Sequence, residues 1–117
     1  MTVKDRVILI KNGENIKVIE RPGKFYKFLL KSENMEANFA ELEPGSESRW
    51  FNHTGEEVHI VLKGKLEYSV GDHIYKLNKG DILWHKSNVN HKATNNSDSI
   101  VIYLTIGTPP TFKTSMV

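Results

Sequence analysis

The 117 residues carry a formal charge of +2 and no cysteine, the size of one domain able to bury a core without disulfides. Lys and Arg are scattered among Glu and Asp, so no basic stripe for nucleic acid is present, and thiolate chemistry is excluded. The N-terminal apolar run is too short for a secretion signal or a membrane span; the expectation is a soluble, cytoplasmic protein with no nucleic-acid or membrane partner. The triplets Asn52-His53-Thr54 and Asn95-Asn96-Ser97 are then chance matches to a glycosylation pattern.

In chain order, Val7 to Ile10 and Ile16 to Ile19 read as short strands separated by Asn12-Gly13, and Arg21-Pro22-Gly23 breaks the pattern before an aromatic run from Phe25 to Leu30. Met35 to Leu42 alternates, with Met35, Ala37 and Phe39 on one face and Glu36, Asn38 and Ala40 on the other, as a half-buried strand does. Pro44-Gly45 ends it. Short β-prone segments follow at Val58 to Leu62, Leu66 to Val70, Ile74 to Leu77 and Ile82 to Trp84, punctuated by Gly64, Gly71-Asp72 and Asn78-Lys79-Gly80. Ser99 to Ile106 predicts a buried closing strand, and Thr108-Pro109-Pro110 stops the sheet. No helical period appears. Many short strands with regular turns predict an all-β sandwich or barrel.

Two stretches carry chemistry. In PGSESRWFNHTGEEVHIVLKG, His53 and Glu57 stand four apart just before a β-prone run; in GDILWHKSNVNHKATN, His91 opens a segment after a polar turn. Gly55 and the β-branched residues after Glu57 argue for a loop entering a strand rather than a helix face. Two imidazoles and a carboxylate form a candidate metal site with positions left open, as in non-haem iron oxygenases or catalytic zinc centres. The alternative is three ordinary polar residues at a barrel mouth. Strand alternation puts His59 on the face of Glu57, as a proton carrier or a buried neutral histidine. It turns Glu56 away. His73, in a hairpin, reads as solvated.

These stretches resemble the two signatures of the cupin family. Gly45, the triplet Phe51-Asn52-His53, Glu57 and Gly64 occupy the first, and Gly80, Lys86-Ser87-Asn88, His91 and Asn95 the second. Phe51 stands where the first histidine belongs, and Lys86 and Asn88 replace a Pro and a Gly. The resemblance implies a double-stranded β-helix, a jelly-roll barrel forming one domain over 1–117, with N-terminal strands to residue 34, a barrel core over 35–106 and a tail from 107. Within the family the chain looks like the cupin domain of helix-turn-helix regulators and is similar to the iron-dependent hydroxypropylphosphonate epoxidases. The latter set, one His, a Glu four residues on and a later His, falls on His53, Glu57 and His91.

What the resemblance implies is a mononuclear divalent metal (Fe, Mn, Zn or Ni) on those three residues. From strand alternation and side-chain chemistry, His59 is the candidate acid or base, and Phe51, His85 and Trp84 are the candidate pocket-lining residues, with the direction of His85 depending on strand register. The partner would be a small-molecule ligand or substrate, and the chain would form a homodimer. Function is then an oxygenase-type enzyme or, alternatively, a ligand-binding or sensor module with or without metal. A third reading is a barrel closed around Phe51.

Overall fold

In the computed structural model, which describes residues 2–4, 6–113 and 117, the described chain is entirely β and holds eleven strands. They are β1 (Thr2–Lys4), β2 (Val7–Leu9), β3 (Lys17–Arg21), β4 (Lys24–Lys31), β5 (Glu36–Leu42), β6 (Glu56–Lys63), β7 (Lys65–Val70), β8 (His73–Asn78), β9 (Ile82–Lys86), β10 (His91–Thr94) and β11 (Val101–Thr108). Every pairing is antiparallel. Among the described residues no helix is long and apolar enough to cross a membrane.

One sheet has the order β3-β4-β5-β11-β6-β9 and the other the order β10-β7-β8. Residues 45–51 extend the smaller sheet, because Glu47 and Phe51 bridge to Thr94 and His91, and Gly45, Ser48 and Phe51 donate backbone bonds to β10 and Asn95. Inward-facing side chains of the two sheets meet in one interior: Leu42, Val61 and Val101 from the larger sheet pack with Leu66, Tyr68 and Ala93 from the smaller. This is the expected double-stranded β-helix. The small hairpin β1-β2 stands apart, and β2 does not pair with β3, so Asn12-Gly13 turns the chain without closing a hairpin. Strands β3 and β4 continue the larger sheet beside β5, carrying the buried Ile19 and Tyr26 into the core.

The strand at 36–42 lies where the sequence places it, with the opposite emphasis. Glu36, Asn38, Ala40 and Leu42 are buried, whereas Met35 is exposed and Ala37 and Phe39 are only half-buried. Glu36 and Asn38 line the cavity of the barrel interior, so the polar residues of the alternation point inward. Gly64 closes the β6-β7 turn at φ +80, where an added Cβ would press on the Ile100 carbonyl oxygen.

Candidate metal centre

β6 carries Glu57, His59 and Val61 inward in alternation, the period-2 pattern of a strand with one face on the barrel interior. Its partner β9 sets His85 opposite Glu57, which turns His85 inward as well. Trp84 therefore points outward; it is 51 % exposed and its indole N–H donates to Glu56 Oε1 at 3.2 Å. Trp84 is corrected from a pocket residue to an outer-face one, because neighbours in a strand cannot both face the cavity. Glu56 faces away, as alternation requires, and His73 is exposed.

The two sequence signatures are stitched together by backbone. His53 N–H donates to the Ser87 carbonyl at 3.0 Å, and Ser87 N–H to the Gly55 carbonyl at 2.8 Å. Gly55 sits at φ +98, and any side chain there would overlap the Thr108 carbonyl oxygen, so the loop between His53 and Glu57 lies flat against the end of β11. Asn95 is a fully buried brace, donating to the Leu42 and Ser99 carbonyls at 2.9 Å.

His53, Glu57 and His91 converge. Glu57 Oε1 lies 3.0 Å from His53 Nε2 and 2.8 Å from His91 Nε2, close to the ~3 Å edge expected between ligand atoms each ~2.1 Å from one ion. The tautomers are set by the far nitrogens. His91 Nδ1 faces the Val89 carbonyl at 2.7 Å and His53 Nδ1 the Thr54 carbonyl at 3.1 Å, so each Nδ1 carries the proton and each Nε2 presents a lone pair. His91, with 0 % exposure, finds no hydrogen bond of acceptable geometry for Nε2 in spite of the short approach to Glu57. Lone pairs facing a carboxylate oxygen in a buried place need a proton or a cation between them.

Without a cation, protons relieve part of the conflict. The hydrogen bond to Glu57 raises the His53 pKa above its usual value. Burial pulls the Glu57 carboxyl upward, but the bond from His53 and the close approach of the His91 ring outweigh it and hold the group well below the carboxylate range. Ser87, fully buried, donates its hydroxyl to Glu57 Oε1 at 3.0 Å and orients the carboxylate.

A second pair of imidazoles lies beyond the other carboxylate oxygen. His85 Nδ1 donates to the Lys86 carbonyl at 2.8 Å, so its Nε2 accepts from His59 Nε2–H, also at 2.8 Å. His59 Nδ1 then accepts from the Thr105 hydroxyl at 2.8 Å. His59 Nε2 stands 3.9 Å from Glu57 Oε2 and stacks on Tyr68 with ring centroids 4.1 Å apart. Burial pushes the His59 pKa down to about 3 and lowers that of His85, so His59 is a neutral imidazole at ordinary pH.

A cavity of roughly 40 Å³ opens beside Glu57, lined among others by His53, His59 and Phe51. Phe51 packs on His91 with ring centroids 5.9 Å apart, an apolar wall where a further ligand would stand. Sequence reasoning missed Ser87, Glu36, Asn38, Tyr26 and Phe112. Phe112, in the segment after β11, packs on Phe28, Phe51 and Tyr26 and roofs the cavity, while its backbone N–H donates to Glu36 Oε1 at 2.8 Å and Thr111 Oγ1 lies 3.0 Å from His53 Nδ1. No local signal marks such a long-range roof; the hidden signal for Glu36 and Asn38 was a strand whose polar face is the inner one.

The family pattern described as the cupin domain matches residues 38–107. An uncharacterized protein of Archaeoglobus fulgidus is 39 % identical over 64 residues, which are 55 % of this chain and 60 % of that protein, so the match spans less than two thirds of that relative's length. Among solved structures, an RmlC-like cupin from Shewanella frigidimarina superposes with a TM-score of 0.77 at 20 % identity, covering 95 % of this chain and 97 % of the other. KdgF from Halomonas sp. gives 0.72 at 20 % identity, covering 95 % and 99 %. A DMSP lyase, DddQ from Ruegeria pomeroyi, gives 0.62 at 22 % identity over 70 % of this chain and 42 % of that one. At these identities the structural likeness concerns the fold.

Proposed function

The chain belongs to the cupin family, and from that premise we propose that it holds one divalent metal on His53, Glu57 and His91 and presents it to a small molecule in the adjoining cavity. One observation carries this reading: two imidazole nitrogens each lie within 3.0 Å of the same carboxylate oxygen, with both Nδ1 atoms committed to backbone carbonyls. That donor set fits a divalent cation of the Fe, Mn, Zn or Ni kind. When bound, the metal would supply Lewis acidity or, as iron, oxygenase-type chemistry at its open positions. Ser87 orients the Glu57 carboxylate, Phe51 keeps one side of the site apolar and Phe112 excludes bulk water. His59 is the acid–base group of this reading, since it lines the cavity with His85 as its hydrogen-bond partner.

Metal analysis of untagged protein tests the assignment: about one equivalent in the native chain, and none in His53→Ala or His91→Ala. Full metal content in either variant would defeat the ligand set. A second reading, ligand binding without turnover, is favoured by the roof that Phe112 places over so small a cavity. Oxygen uptake by the iron-loaded protein with small hydroxylated or carbonyl compounds separates the two. We further assign the chain to the cytoplasm and to a homodimer, formed through the outer face where Leu62, Ile82 and Trp84 are exposed; a monomer in sedimentation analysis at micromolar concentration would oppose that pairing.

A further inference from the structure

Two cavity residues outside the metal set, Glu36 and Tyr26, limit what can enter. The room is roughly 40 Å³, space for about three waters or a ligand of a few heavy atoms. Among the described residues no Lys or Arg lines it; its full charges belong to Glu57 and Glu36. Phosphates, phosphonates and carboxylates are normally gripped by guanidinium, ammonium or free backbone N–H groups. The Phe112 N–H at the roof is already taken by Glu36 Oε1 at 2.8 Å. A divalent ion balanced by Glu57 alone would leave a site with one positive charge, welcoming an anion. Glu36, buried and facing the same cavity, cancels that charge.

Tyr26 supplies the complementary feature. Its side chain lines the cavity at 4 % exposure, and its hydroxyl finds no hydrogen-bond partner. A buried donor is rarely left unmade, and a ligand's oxygen would complete it. Burial lifts the phenol to about pKa 12, so the group donates throughout the physiological range.

We propose that the cavity selects a small uncharged oxygen-bearing molecule over anions, with the Tyr26 hydroxyl donating to the ligand and the Glu36 carboxylate repelling negative charge. The charge balance rests on the metal reading above, while the Tyr26 anchor does not. The site is thereby set against phosphonate-type substrates, in spite of its ligand pattern being similar to that of the phosphonate epoxidases.

The test uses a matched pair, 2-hydroxyacetamide and glycolate, which have equal heavy-atom counts and differ in charge. Each is titrated calorimetrically into the Mn(II)-loaded full chain at about pH 8, chosen because burial raises the Glu36 pKa and an alkaline medium favours its carboxylate form. The amide should bind at least roughly tenfold more tightly than glycolate. Tyr26→Phe should weaken the amide roughly five- to tenfold, with the thermal midpoint unchanged or raised, since the unpartnered hydroxyl is gone. Glu36→Gln keeps an oxygen for the Phe112 N–H and should bring glycolate to equal or tighter binding. Glycolate matching the amide in the native chain, no binding of either probe, or an unchanged amide affinity in Tyr26→Phe would overturn the proposal. Repeating the titrations without metal keeps the two readings apart: a chain that takes no Mn(II) yet still prefers the amide defeats the metal assignment and supports the selectivity.

Discussion

Glu57 turns one oxygen toward each of two histidine pairs, and the pairs are built differently. On the Oε1 side, His53 and His91 have their Nδ1 atoms tied to backbone carbonyls and their Nε2 lone pairs aimed at the carboxylate. On the Oε2 side, His59 and His85 bond to each other, and Thr105 and the Lys86 carbonyl complete them. Both trios bring their ligand atoms within 4.8 Å of one another. Proximity therefore does not choose between them; hydrogen-bond completeness does. The first pair lacks something between its members and the carboxylate, whereas the second is closed.

The sharpest way to break that contrast is to remove the shared carboxylate. Glu57→Gln withdraws the only anionic ligand of the first set, and metal affinity should fall by at least about a hundredfold, read by competition with a chelator. Next, His85→Ala should retain about one equivalent of metal by elemental analysis. Loss equal to that of His91→Ala would show that the second pair also takes part in holding the ion.

The closed pair has its own signature in acid. In the metal-free protein the folded pKa of His59, about 3, lies below the ordinary 6.5, so the unfolded chain binds the extra proton first. This contribution is complete above about pH 6.5 and is lost as pH falls toward about 3, at about 1 kcal/mol per pH unit. Urea unfolding across that window measures the slope; a flat profile would mean that His59 is not held neutral by burial.

Ser87→Ala sharpens the comparison on the open side, since Ser87 touches only Glu57 Oε1 by its hydroxyl. Metal affinity should drop roughly tenfold, as for other groups that orient a ligand, and stability by about 1 kcal/mol. The smallest effect belongs to Trp84→Phe. Its outward indole bonds an exposed Glu56, so metal content and probe binding should stay at native values.

The strands were legible because turn residues bracket them: Pro22-Gly23, Pro44-Gly45, Gly64 and Gly71-Asp72 all fall between strands. The convergence of His53, Glu57 and His91 was legible through two spaced motifs on strands that pair or face each other. What a strand's alternation does not reveal is which phase faces inward. Reading 35–42 by hydropathy favours Met35 and Phe39, yet near the barrel mouth the inner face borders the cavity and Glu36 and Asn38 take it. Direction also depends on register. His85 and Trp84 are adjacent, and only the pairing of His85 with Glu57 decides between them. Tyr26 and Phe112 lie far outside the motifs, and their meeting over the cavity is a property of the folded chain alone.

The segment after β11 has a practical consequence through the contacts of Thr111 and Phe112 with His53, Glu36 and Phe51. A purification handle fused at the C-terminal end, or proteolytic clipping near Pro110, would lift this cover and let bulk solvent flood the pocket. Preparations handled that way should be leaky toward chelators and indifferent to ligand charge, so assays ought to place any fusion at the opposite end of the polypeptide.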